Sequence, residues 1–319
     1  MHCVSYCQLL LDILKQQRMT NLYWSIFKNL EKEVISLSEF VHFDDNQLSI
    51  YSAKIAELLI RCSVEIESIS KDLYFRLGGT IPTDRDLYFD TDCLQLLEDN
   101  WLLSKKKVIL AASNFYFQND SNRVLTPLNK ANRRGKSGAD WKKAYQAVKH
   151  NRVDNLNKGN INNIIRSLAA LYILNIYFKE ENYDLEKDSK ATNFPTNMGS
   201  ELFAIKLHKW ISYDGDGFYG KSEDFDECIY LTKWKKESEE KINAANEKMH
   251  EANTEFLLNH PKFSEWSKAN KLEDYKGNNL AWDVLGKDIY IQMLNKTSKQ
   301  TMDAHKSIEY EAILNKKNI

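Results

Sequence analysis

The sequence predicts a mainly α-helical protein, and three observations carry that expectation. Pro and Gly number only 4 and 11 in 319 residues, too few for the turns of a many-stranded β architecture. Two segments, 51–75 and 161–178, repeat apolar residues at the 3.6-residue helical period. The breaks between them carry helix punctuation: Gly78, Gly79 and Pro82 after the first, then Asn157, Gly159 and Asn160 before the second. The fuller expectation is a helical bundle with a small β-hairpin insertion and a helical C-terminal extension. The length fits about two domains, placed at 1–190 and 191–319.

Taken in order, residues 5–35 read as one or two amphipathic helices, with Leu9, Leu10, Ile13 and Leu14 followed by Tyr23, Trp24, Ile26, Phe27 and Leu30. The opening MHCVSYCQLLLDILKQQ has no basic leader and reads as helix. His2, Cys3 and Cys7 within it form one short cluster without a distant Cys or His pair, so no metal is expected there. In the helix from Tyr51 to Phe75, Ile55, Leu58, Leu59, Cys62, Ile66, Ile69 and Leu73 make an apolar line with Glu65 at its edge. A carboxylate there needs a cation or water, and Arg61 one turn earlier offers local pairing. Residues 84–126 read as an irregular excursion with short pieces at Leu87–Phe89, Leu94–Leu97 and Val108–Ala112.

The loop PLNKANRRGKSGADWKK then gathers Lys130, Arg133, Arg134, Lys136, Lys142 and Lys143 against Asp140 alone. Gly135 and Gly138 give it freedom, and its charge suits phosphate groups. It lacks the spacing of a P-loop. Trp141 and Tyr145, four apart, share a helix face and read as core anchors, while Lys149 and His150 end that helix. Asn160 is placed to cap the next helix, whose first half holds Asn162, Asn163 and Arg166. Those polar residues argue for a buried bundle helix over a membrane span.

Pro195 and Gly199 mark a boundary, SELFAIKLHKWI reads as a strand, and Asp214–Gly217 (DGDG) is expected to close a hairpin turn. DGDG lacks the further oxygen ligands and closing Glu of an EF-hand loop. Residues 229–258 read as one long charged helix ended by His260-Pro261. A shorter element around Phe263, Trp266, Trp282 and Leu285, a helix from Ile289 to His305 and a polar tail complete the chain.

Formal net charge is −1, from 44 basic and 45 acidic side chains, so any nucleic-acid binding must come from local patches. The odd, scattered set Cys3, Cys7, Cys62, Cys93 and Cys228 does not form a disulfide framework, and a reducing cytoplasm suits it.

Two fragments, YSAKIAELLIRCSVEIESISKDLY at 51–74 and WKKAYQAVKHNR at 141–152, together with the SLAALYILNIYF helix, resemble uncharacterised bacterial and phage-associated proteins related to the HEPN superfamily. The resemblance covers about residues 50–180. It implies a HEPN-like helical bundle, a homodimer with both active sites in one cleft, and a metal-independent endoribonuclease acting as a toxin or antiviral defence effector. That family's usual motif runs Arg, a polar residue, several more positions, then His. This chain reads KHNR, with Arg152 after His150.

Metal-independent RNA cleavage needs a proton-transferring group and cations for the phosphorane. His150 suits the first because its ordinary pKa lies near neutrality. Lys149 and Arg152 suit the second. Glu65 is expected to orient them, while Lys130, Arg133, Arg134, Lys136 and Lys143 hold flanking phosphates. No cofactor is expected; the expected partners are RNA, a second copy and a regulatory protein, with no membrane. The alternative is a non-catalytic protein- or nucleotide-binding helical module in which the cations merely end a helix. A metal-dependent hydrolase on Glu65, Glu67 and His150 is disfavoured because no HExxH or paired Glu-x-x-His spacing is present.

Overall fold

In a computed structural model the protein is mainly helical, with 57% of its described residues in helix. The structure describes residues 22–209 and 223–317. The His2, Cys3 and Cys7 cluster, the Leu9–Leu14 helix and the DGDG turn lie outside the described residues.

The chain divides into two compact units, each discontinuous in sequence. The first comprises residues 1–183, 194–232 and 312–319; the second comprises 184–193 and 233–311. In the first unit, helix α1 spans 22–37, α2 Ala53–Arg76, α3 Gln95–Trp101, α4 Asp120–Arg123, α5 Asp140–His150, α6 Arg152–Asn155 and α7 Ile161–Lys179. The α2 N-terminus is capped by the Ser52 side chain, which accepts from the Ile55 N–H, and α7 by Asn160, which accepts from the Asn163 N–H. Each cap satisfies one of the N–H groups that an α-helix leaves unpaired in its first turn.

Helix α7 is the centre of this unit. Only Asn162, Arg166 and Lys179 in it escape full burial. Such a helix must be covered all round. The apolar line Ile55, Leu58, Leu59, Cys62, Ile66, Ile69 and Leu73 of α2 packs along it. From α1, Tyr23 meets Phe178 edge-on at 4.9 Å and Phe27 lies 5.5 Å from Tyr172. Trp101 at the end of α3 stacks on Tyr177 at 4.7 Å, and Phe203 stacks on Tyr172 at 5.4 Å. By length and composition α7 meets the criteria for a membrane-spanning helix, but 89% of its most apolar window is buried within the protein. It is a core helix.

The excursion at 84–126 is more regular than its sequence suggests. A six-residue π-helix, Phe89–Leu94, leads into α3, and short strands β1 Val108–Leu110 and β2 Val124–Leu125 follow. The remaining strands are β3 Tyr183–Glu186, β4 Phe203–Ala204, β5 Leu207–His208, β6 Tyr230–Trp234 and β7 Tyr310–Leu314. They form two small sheets, in the orders β2-β1-β4 and β3-β7-β6-β5.

Three expectations are corrected here. The 201–212 stretch does not build a local hairpin among the described residues: β4 pairs antiparallel with β1, and β5 pairs parallel with β6. The segment 229–258 is not one helix, because Tyr230–Trp234 forms strand β6 before the long helix begins. The polar tail is a strand, β7, placed between β3 and β6. In each case distant partners supplied the hydrogen bonds that decide strand against helix or coil, and a local pattern cannot display them.

In the second unit, α8 spans Lys236–Leu258, α9 Pro261–Ala269, α10 Leu280–Leu285, α11 Lys287–Thr297 and α12 Lys299–Lys306. Ile242 and Ala245 of α8, together with Leu185, Phe263, Leu285, Met293 and Ile308, are its buried apolar residues. Thr297 donates to Asn253 Oδ1 at 2.6 Å, holding α11 against α8. Pro261 at the first turn of α9 costs no hydrogen bond, since that N–H has no helical acceptor.

Candidate anion-binding site

Helix α5 positions the site. Trp141, Ala144, Tyr145 and Val148 form its buried stripe at helical spacing. The Trp141 indole N–H donates to the Pro127 carbonyl at 2.8 Å, tying the helix start to the incoming loop. The two rings are core anchors, as their spacing predicts.

The loop at 126–139 is ordered by one buried cluster. Lys142, 4% exposed, donates from Nζ to the Ala131 carbonyl at 2.9 Å, to the Arg133 carbonyl and to Asp90 Oδ2 at 3.0 Å. Arg134 Nε donates to Asp90 Oδ1 at 2.8 Å, and its guanidinium lies 3.5 Å from the Tyr88 ring centre. Burial works against the Asp90 charge, but the Thr91 N–H, Lys142 and Arg134 outweigh it and hold the carboxyl below its ordinary range. Two of the loop's six cations are therefore structural. Arg134, an expected phosphate contact, braces the loop through Asp90 and does not line the pocket of Lys130, Lys136 and Lys143.

What remains of the basic loop converges. Lys130, Lys136 and Lys143 line a pocket of about 330 Å³ with Thr126, Ser137, Asp140, Asn162 and Arg166. Lys130 sits at φ 61°, a left-handed turn that folds the loop back on itself. Arg166 is the fourth cation. Its Nε donates to Asn162 Oδ1 at 2.8 Å and one Nη to the Ser121 carbonyl at 3.1 Å, so the guanidinium is held in place. Burial lowers its pKa, and Asp140 opposes that shift; an arginine stays charged throughout. Asn162 and Arg166 are two of the residues of α7 that escape full burial, and both face this pocket. Four cations surround the single Asp140 carboxylate, which pairs with Lys143 at 2.7 Å, so the pocket is a candidate site for an anion. Arg133 is exposed and does not line the pocket.

The expected catalytic residues lie at the opposite end of the same helix. His150 is the exposed last residue of α5, and Arg152 is exposed on α6. Eleven residues of helix span about 16 Å, so these two groups do not share the pocket. Lys149 donates to the Tyr145 hydroxyl at 3.1 Å, which raises the lysine's pKa.

Glu65 does not join them, and its expected orienting role is corrected. It is half-buried, burial pushes its carboxyl up with Arg61 opposing, and its charge is felt by Tyr23 of α1. Arg61 itself pairs with Glu33 of α1 at 2.5 Å. Successive helix residues turn by 100°, so Glu67, two residues on, faces the other way. Its charge acts on Tyr145 and Lys149 of α5. The sequence reading missed Arg166 and Asp90. The signal for Arg166 was a cation inside a helix of mainly apolar residues; nothing local marked Asp90 as the partner of Arg134 and Lys142, 44 and 52 residues further on.

No protein-family model, no curated protein and no solved structure matches the chain.

Proposed function

We propose that the protein is RNA-directed and grips the phosphate backbone of single-stranded RNA through the pocket between the 126–139 loop, α5 and α7. The observation that carries this reading is the convergence of Lys130, Lys136, Lys143 and the fixed Arg166 guanidinium on one polar cavity. Arg offers a planar fork to phosphate oxygens, and lysines add mobile charge around it. This is the binding-module form of the expectation, sited at a nucleotide-sized pocket. Fluorescence anisotropy with a short single-stranded RNA tests it. Arg166→Ala and Lys136→Ala together are expected to weaken binding at least tenfold, and unchanged affinity in the folded double variant would reject it.

A second reading, metal-independent cleavage by a HEPN-like effector of bacterial defence against phage, is supported by the placement of His150. It lies seven residues after Lys143, hence on the same helix face, and is exposed with no ion pair among the described residues. A strand held at the pocket passes along that face, bringing a ribose toward the exposed imidazole. The proposed setting is the cytoplasm, with a second copy completing the cleft. Incubation with total RNA in EDTA separates the readings: cleavage by wild type but not His150→Ala supports the effector, and binding without cleavage supports the module alone.

A further inference from the structure

Away from the pocket, on the small-sheet side of the first unit, three residues of different donor chemistry meet. We propose that His208, Asp224 and Cys228 bind a divalent transition-metal ion of the zinc class. Their donor atoms all lie within 4.8 Å of one another. His208 Nδ1 is 2.8 Å from Asp224 Oδ1, and Cys228 Sγ is 3.7 Å from Asp224 Oδ2.

The backbone builds this arrangement from two sides. The Asp224 carbonyl accepts the N–H groups of Glu227 at 3.0 Å and Cys228 at 3.1 Å. That single turn sets side chains 224 and 228 on one side. Strand β5 pairs parallel with β6, with Leu207 opposite Tyr230 and His208 opposite Leu231. The strand pleat turns Leu207 partly outward and His208 inward, and His208 is completely buried. The histidine is therefore delivered to the start of β6, where Cys228 stands with 1% exposure.

The donor set has the right chemistry. Imidazole nitrogen, carboxylate oxygen and thiolate sulfur are the three ligand types of zinc, and a thiolate disfavours calcium and magnesium. One thiolate and one carboxylate also neutralise a dication, so the complex adds no net charge to a buried place. On binding, the Cys228 S–H bond breaks, the metal–sulfur bond forms and the proton leaves to solvent. Two cations, Lys206 and Lys106, act on Cys228; Lys106 donates to the carbonyls of Asp226 and Cys228 at 3.0 Å each, which keeps its ammonium on the backbone side of the cluster.

Cobalt reports this site directly, because thiolate ligation gives a near-ultraviolet charge-transfer band. Full-length protein stripped with EDTA and dialysed is titrated with Co²⁺ and then Zn²⁺. One equivalent should produce the band, zinc should abolish it, and Asp224→Asn should weaken binding at least about tenfold. Absence of the band in folded wild type, or its persistence in Cys228→Ser, overturns the proposal. Should the variants fail to fold, alkylation of wild type mapped by peptide mass spectrometry decides: zinc protection of Cys228 supports the site, and protection confined to Cys3 and Cys7 refutes it.

Discussion

At the scale of single residues, Asp90 determines whether the loop that supplies the pocket has a shape. It meets two cations from the loop and from α5, and both of its oxygens are used. Asp90→Asn leaves the Lys142 ammonium buried with carbonyls alone, and it is expected to cost about 3 kcal/mol in urea denaturation. The same carboxyl sets an acid limit. Its pKa is lower folded than unfolded, so the unfolded chain takes up its proton first as pH falls. The stabilisation is complete at neutral pH and is lost from about pH 4 downward, through the folded value. Acid titration followed by circular dichroism should show a wild-type loss in that window that Asp90→Asn lacks.

At the scale of elements, the 156–159 turn packs closely on α2. A Cβ built on Gly159 falls 2.5 Å from Ala56 Cβ and 2.7 Å from Ala56 Cα. Gly159→Ala must push α2 away from the start of α7, and a loss of about 1–3 kcal/mol in thermal or denaturant unfolding is expected. The pocket is likewise a product of elements, since the loop, α5 and α7 each contribute cations. If three or four phosphates are neutralised there, the plot of log affinity for single-stranded RNA against log salt should slope about −2 to −3. A slope near zero would show that the cations do not meet phosphate.

At the scale of the whole molecule, the first unit is closed by segments far along the chain. Phe203 covers Tyr172, the Tyr177 hydroxyl donates to the Asn315 carbonyl at 2.9 Å, and the Asn315 amide donates to the carbonyls of Phe225 and Cys228. A fragment ending at residue 190 would expose these rings and leave the buried Tyr177 hydroxyl without an acceptor. It is expected to be insoluble or to lack a cooperative thermal transition, whereas full-length protein unfolds cooperatively; calorimetry on both checks this.

Helix identity, caps and core anchors were legible in the sequence because they depend on neighbours within one or two turns. The apolar stripe of α2, the Asn160 cap and the burial of Trp141 and Tyr145 follow from that spacing alone. The basic loop was visible as composition, but which of its cations were committed was not. Lys142 and Arg134 are held by Asp90, and Arg166 joins Lys130, Lys136 and Lys143 only because α7 passes beneath the loop. The strands followed the same rule: β5 and β7 carry weak local signals and owe their state to partners elsewhere. Local spacing and composition were enough to define a mainly helical protein with a basic loop before a Trp-anchored helix. Which charges meet depends on the folded packing, because Coulomb and hydrogen-bond energies fall off over a few ångströms of space whatever the separation along the chain.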